Sequence, residues 1–352
     1  MPKTYFRSIV LVVSLIFTGH LYPADTAAIR SGTLDPPRKP AGSEITGPLS
    51  SPVLGYVAQA APIELRAILG VPGSAVLSDP LYLPKGASRL RMAPDQSYAL
   101  VERSAGDPQL LPLASGSATE VTITGALQAA DFAAFSPKAQ SAILYSSALA
   151  RLQVITGLPG APLISRDVDT SAFPEQPVNA AISDDAGSLL FGSSDAVYQL
   201  LPGGMALQLM RVAGAAALTF LPNSSQGIIA DRGAGSVYLW QSDAGSAAKL
   251  ADGLTGIGEM RPAADGQGLW FTNPAANAIS WLSVTTAGLK TFNVPISPTK
   301  LDGLPHRDMF VIASDPGQPV WFLFQQEGDA MAGFVPAVSD KKLRIPGEGV
   351  RQ

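Results

Sequence analysis

Apolar runs of four to six residues recur along the chain, each held between clusters of Pro, Gly, Asp, Asn, Ser and Gln. Six tight turns punctuate them: Ala93-Pro94-Asp95-Gln96, Ser136-Pro137-Lys138-Ala139-Gln140, Ser183-Asp184-Asp185-Ala186-Gly187, Pro222-Asn223-Ser224-Ser225-Gln226, Ala264-Asp265-Gly266-Gln267 and Ser314-Asp315-Pro316-Gly317-Gln318. A second apolar run follows each turn: Tyr98 to Val101, Ala142 to Tyr145, Leu189 to Gly192, Gly227 to Ala230, Leu269 to Thr272 and Val320 to Leu323. Short apolar runs bounded by turn residues and rich in β-branched and aromatic side chains predict strands buried on both faces. A third column lies at Arg151 to Ile155, Ala196 to Leu200, Ser236 to Trp240, Ala278 to Leu282 and Met331 to Val335, and a fourth strand closes each unit, as in Ala206 to Met210 and Leu289 to Asn293.

The turn centres stand roughly 39 to 50 residues apart, the period of a four-stranded propeller blade and not of a helical repeat. The predicted fold class is therefore all-β, a β-propeller in one domain over residues 53–347. The ends repeat each other: Val53-Leu54-Gly55-Tyr56-Val57 matches Met331-Ala332-Gly333-Phe334-Val335, and Leu65-Arg66-Ala67-Ile68-Leu69-Gly70 resembles Leu343-Arg344-Ile345-Pro346-Gly347. The chain thus starts with what read as the third and fourth strands of a blade. A seven-position ring with an incomplete first blade is expected, and six blades plugged by an N-terminal hairpin is the alternative.

Before the domain, Lys3 and Arg7 precede an uncharged run from Ser8 to Thr18, shorter than the about 20 residues that span a bilayer. Residues 1–28 read as a secretory signal peptide, cleaved near Pro23-Ala24 or Thr26-Ala27-Ala28, and the protein is expected in the periplasm or outside the cell. Residues 29–52 hold Pro36, Pro37, Pro40, Pro48 and Pro52 without apolar periodicity and form a linker; residues 348–352 are a tail. With no cysteine, neither a disulfide nor a lipid-modified Cys is available, so core burial alone must stabilise the domain. The net charge of −4, or −6 once Lys3 and Arg7 are gone, comes with no Lys/Arg cluster, which argues against nucleic acid and anionic lipid as partners.

Two stretches carry a family likeness. Ile229-Ala230-Asp231-Arg232-Gly233-Ala234-Gly235-Ser236-Val237-Tyr238 resembles the core of NHL repeats, and Trp270-Phe271-Thr272-Asn273-Pro274-Ala275-Ala276-Asn277-Ala278-Ile279-Ser280 resembles the YVTN repeat. The resemblance implies the fold of bacterial exported propellers and no particular activity. Asp231, Asn273 and Asn277 also have a purely structural explanation, since such side chains bond the backbone of the turns they begin.

Catalytic readings fail mostly on inventory. Beyond the leader, His306 is the sole histidine, and no Gly-x-Ser-x-Gly elbow, phosphate-binding loop or dinucleotide fingerprint occurs. One enzyme reading survives, a metal-dependent lactonase or hydrolase of the gluconolactonase-like propeller type, with Asp131, Asn179 and Glu259 on inner strands as oxygen ligands. Its Glu-Gly-Pro signature is missing, and Arg91 and Arg261 near the axis would oppose a cation. No cofactor is expected.

The preferred reading is a monomeric binding or scaffold module for a protein, peptide or glycan. Propeller links between blades share one face with the connections from second to third strands. Two long links, Arg166 to Pro177 and Pro295 to Arg307, are expected there, and long loops on a rigid ring are common recognition sites. Asp231, Arg232, Asn273 and His306 are the candidate partner-binding residues. Trp270 and Trp321 are assigned to packing between blades.

Overall fold

In a strand, successive side chains point to opposite sides, so a strand apolar at every position needs a neighbour on each. This happens along Ser141–Ser146: Leu144 packs with Tyr98, Leu100 and Leu110, while Ile143 and Tyr145 pack with Ile182, Leu189 and Phe191. A computed structural model describes residues 52–337, apart from 114–118, 243–244, 306–307 and 327–328. It arranges the strands in seven antiparallel sheets, six of four strands and the first of three.

In chain order the first sheet is β1 (Val53–Ala60), β2 (Ile63–Val71) and β3 (Ser74–Leu77). The second is β4 (Ala87–Met92), β5 (Tyr98–Arg103), β6 (Gln109–Pro112) and β7 (Val121–Thr122). Next come β8 (Phe132–Phe135), β9 (Ser141–Ser146), β10 (Arg151–Thr156) and β11 (Leu163–Asp169), then β12 (Asn179–Ile182), β13 (Leu189–Gly192), β14 (Ala196–Leu200) and β15 (Ala206–Arg211). The fifth holds β16 (Ala217–Phe220), β17 (Gln226–Asp231), β18 (Ser236–Gln241) and β19 (Ser246–Ala251); the sixth, β20 (Met260–Pro262), β21 (Gly268–Asn273), β22 (Ala278–Ser283) and β23 (Leu289–Asn293). The last is β24 (Asp302–Gly303), β25 (Phe310–Ala313), β26 (Val320–Gln326) and β27 (Asp329–Val335).

Seven apolar clusters lie between consecutive sheets, including one that joins Val311, Val320 and Phe322 of the last to Leu54, Val57 and Ile68 of the first. The ring therefore closes as a seven-bladed propeller, and its core is seven slabs and not one central mass. Burial of apolar area is worth about 25 cal/mol per Å², and each slab is held by both of its blades.

Two details differ from the expectation. The first blade has three strands, and β1 lies against β4, the inner strand of the next blade. The inner edge of β1 is capped by a side chain: Gln96 accepts from the Tyr56 amide at 2.7 Å and donates to its carbonyl at 2.9 Å. In the last blade, Val320–Gln326 and Asp329–Val335 are the third and fourth strands, one place later than expected. The two-residue β24, pairing Asp302 with Val311, takes the inner place, so the turn at Ser314 to Gln318 joins the second strand to the third. Residues 343–347, matched to β2 by sequence, lie outside the described residues.

Gly235, in the β17–β18 turn, shows why a turn needs glycine. Its φ is +65°, and a Cβ there would sit 2.1 Å from the Leu254 carbonyl oxygen. Gly235→Ala should destabilise the domain by more than about 1 kcal/mol, read from denaturant melts, because neither the φ nor the clash can relax cheaply.

Candidate functional site

The two faces of the disc are built differently. One, the turn face, gathers the turns from first to second strand. Asp184 ties three of them, accepting the Lys138 amide at 2.7 Å and the Asn223 amide at 2.8 Å, and Asp308 accepts the Ala264 amide at 3.3 Å. These turns surround the mouth of the central channel, where a cavity of about 440 Å³ opens. Phe135, Met309 and Phe310 supply apolar wall; Asp95, Lys138, Arg261 and Asp308 bring charges of both signs; Pro94, Pro137, Pro222, Pro262 and Pro305 stiffen the rim. The Arg261 Nε donates to the Leu301 carbonyl at 3.0 Å, which anchors its guanidinium at the wall.

The link face is knitted by side chains that bond loop backbone. Asp231 is buried; one carboxylate oxygen accepts from the Ala213 amide at 2.9 Å, the other from Gly233 and Ala234, both at 3.0 Å. Arg232 donates to the Gly258 carbonyl at 2.9 Å. Asn273 donates to the Thr255 carbonyl at 2.8 Å and accepts from Ala276, capping the 3-10 turn Pro274–Ala276, which ends at Asn277 with φ +50°. Asp231, Arg232 and Asn273 thus do share this face, in adjacent blades, with their polar atoms engaged in holding links. His306 lies outside the described residues. Its flanking Pro305 and Asp308 line the mouth on the turn face, so the link from Pro295 crosses to the opposite side of the disc from Asn273. The cause is again β24, which uses the middle of this link as an inner strand. The other link also shortens, since Arg166 to Asp169 belong to β11 and Phe173 stacks on Phe191 at 4.9 Å.

The three proposed metal ligands stand at the starts of inner strands in three different blades. The Asp131 carboxylate accepts the Ser147 amide at 2.6 Å; hydrogen bonding by Ser147 first, then Arg89 and Arg91, holds it below the usual carboxylate range. The Asn179 carboxamide donates to the Ala216 carbonyl, and Glu259 is exposed. Among the described residues no three His, Cys, Asp or Glu side chains are gathered as a metal would need. Arg91 donates to the carbonyls of Ala130 and Asp131 at 3.1 and 3.3 Å, placing a guanidinium beside the would-be ligand.

Sequence reasoning missed the mouth. Four of its five turns were visible, the one between β24 and β25 having been read as part of a long link, and their convergence comes from five blades distant in the chain.

Carboxylates in turns also set the acid response. The Asp252 carboxyl falls from 3.8 to about 2 because Ser236, Lys249 and the Gly253 amide donate to it, and hydrogen bonds from Ser183 and Gly187 lower Asp185 as well. A depressed native value contributes stability that is complete above the unfolded value and is lost as pH falls through the native one. Thermal midpoints should therefore fall between about pH 4 and pH 2, and Asp252→Asn should flatten that slope; an unchanged slope would show that its contacts form equally in the unfolded chain.

No protein-family model matches this sequence, and no curated protein matches it. Solved structures do. A functionally unknown protein from Desulfotomaculum acetoxidans aligns with TM-score 0.55 at 14% identity, over 81% of this chain and 95% of the other. U3-55K aligns with TM-score 0.52 at 13% identity, over 73% and 84%. Kuenenia stuttgartiensis hydrazine synthase aligns with TM-score 0.51 at 11% identity, over 85% and 100%. At such identities the likeness shows the fold alone, on which unrelated functions sit.

Proposed function

We propose that this chain is an exported binding or scaffold module that takes a segment of a protein, peptide or glycan at the turn-face mouth of its channel. The observation that carries the reading is the cavity of about 440 Å³ there, concave, walled by Phe135 and Phe310 and rimmed by Lys138, Arg261, Asp95 and Asp308. Small-ligand and segment sites are typically concave and mostly apolar, with a few placed polar groups. The rim is rigid because its turns are tied across blades, so binding costs little ordering. His306 belongs to this proposal through its neighbours in the chain. The link face, with Asp231, Arg232 and Asn273, is the competing surface; its polar atoms are largely committed to the loops they hold. Export rests on Lys3, Arg7 and the apolar run that follows, and kinship with NHL and YVTN propellers on the two repeat stretches quoted above.

The test is selection from a random peptide display library and a glycan array on the whole chain, followed by two variants. Thr219 also lines the cavity; Thr219→Trp should fill the mouth and weaken the selected binders at least about tenfold, about 1.4 kcal/mol, whereas Arg232→Ala should leave them unchanged. The reverse pattern would move recognition to the link face and overturn the assignment.

A further inference from the structure

Two arginines stand at the same place in different blades and meet different partners. The first turn of the second blade closes where the Ala93 amide donates to the Tyr98 carbonyl at 3.0 Å, and that of the sixth where the Ala263 amide donates to the Gly268 carbonyl at 2.9 Å. Counted back from these bonds, Arg91 and Arg261 hold one and the same inner-strand position, which Ala134, Ala181 and Thr219 fill in the three blades between. Counted forward, Glu102 of the second blade corresponds to Thr272 of the sixth. Arg91 gives its Nε to the buried Glu102 at 2.6 Å and its Nη2 to the carbonyls of Ala130 and Asp131. Arg261 has a threonine where that carboxylate would be.

The half-buried Arg261 keeps only its Nε engaged, on the Leu301 carbonyl, and among the described residues no carboxylate pairs with its terminal nitrogens. Lys138, exposed on the rim of the same cavity, is tied through its backbone amide to Asp184, and its ammonium has no ion-pair partner among the described residues. The rim carboxylates differ. Asp95 accepts from the Ser97 amide at 3.0 Å and from its hydroxyl at 2.7 Å, and Asp308 accepts from the Ala264 amide. The mouth thus sets acids already met by donors beside two cations that lack an acceptor, and its wall adds Met309 and Phe135, the latter held edge-on to Tyr98 at 5.9 Å.

We propose that the mouth binds the C-terminal carboxylate of a peptide: the two terminal nitrogens of Arg261 grip its oxygens, Lys138 adds a second positive charge, and an apolar last side chain lies against Phe135 and Met309. A planar guanidinium fork matches a carboxylate, and a half-buried pair is screened less than one in open water. At about 440 Å³ the cavity is at the small end of ligand sites, about 300 to 1,000 Å³, which suits a chain end and not a segment that has to enter and leave. An acidic sugar carries the same carboxylate, but its hydroxyls find few partners on a wall of Phe, Met and Pro. The inference rests on the reading of the mouth as the binding site and adds what that site recognises.

Two pools of N-terminally labelled pentapeptides test it on the whole chain, one with free C-terminal carboxylates and one amidated. The acids should bind at least about tenfold more tightly, best with Leu, Met or Phe last, and the advantage should shrink as salt rises. Arg261→Gln keeps a donor for the Leu301 carbonyl, and Lys138→Gln changes only an exposed side chain; each should bring the acids toward the amides and leave the amides unchanged. If Arg261→Gln fails to fold, Lys138→Gln decides. Acids and amides bound equally, and both lost in Thr219→Trp, would overturn carboxylate recognition while the mouth stands as the site. Tighter binding of oligouronates than of peptide acids would overturn it too, as would binding of neither pool; the display selection then decides separately whether the mouth is a binding site at all.

Discussion

Trp270→Ala should lower the stability of the domain by about 3 to 5 kcal/mol, the range for truncating a large aromatic in a packed core. The indole is fully buried in the slab between the sixth and seventh blades, with the rings of Phe292 and Phe310 at 5.9 and 6.0 Å. Its Nε1 has no hydrogen-bond partner, so truncation removes packing and breaks no polar contact. The loss falls on one interface of a closed ring, and the blades on either side cannot collapse into the void without opening another slab. A thermal melt should show the midpoint down by several degrees, and Trp270→Phe should recover most of it. A near-neutral result would mean that the register of β21 is wrong. Trp321, its ring tilted against Phe334 at 5.3 Å and only half-buried, should cost less.

Arg91→Ala is the second large effect. Glu102 is 2% exposed, and its carboxylate accepts from the Arg91 Nε at 2.6 Å. Removing Arg91 leaves a buried negative charge with Arg89 at 3.6 Å as its remaining cation, and also deletes the guanidinium bonds to Ala130 and Asp131 that tie the second blade to the third. Stranding one member of a buried pair typically costs 3 to 5 kcal/mol; with Arg89 still nearby, about 3 is expected. The double replacement Arg91→Leu with Glu102→Leu should recover much of that, because apolar side chains carry no desolvation penalty. A double-mutant cycle read in denaturant melts checks this: full additivity would show that the pair is not coupled.

Much of the architecture was legible in the residues, for a local reason. A strand between two blades must be apolar at every position, and each blade must turn tightly three times, so Ala142 to Tyr145 or Leu189 to Gly192 announce themselves without reference to the rest of the chain. The near match of Val53 to Val57 with Met331 to Val335 also reported something real, since both strands belong to the pair of blades that closes the ring. It misplaced them within their blades. Asp302-Gly303 is too short to show any period, and nothing local marks it as the inner strand of the last blade; that role exists only through its pairing with Val311 and Phe310. Everything after it in that blade was consequently read one strand early, and Pro305, expected on the link face, lines the channel mouth instead.

The candidate site divides along the same line. Asp231, Arg232 and Asn273 stood out because Asp and Asn at turn starts are visible one residue at a time, and their local backbone bonds explain their presence. The channel mouth is different, as Phe135, Thr219, Arg261 and Phe310 come from four blades and no spacing connects them. By itself the sequence determined the strand period, the β-propeller architecture and the shortage of catalytic side chains, because these follow from local burial demand and inventory, and closure as seven blades was settled by the slab between the last sheet and the first. The tertiary structure alone decided which strand is innermost in the first and last blades, which face each loop occupies and where the cavity opens, because each of these depends on hydrogen bonds and packing between residues far apart in the chain.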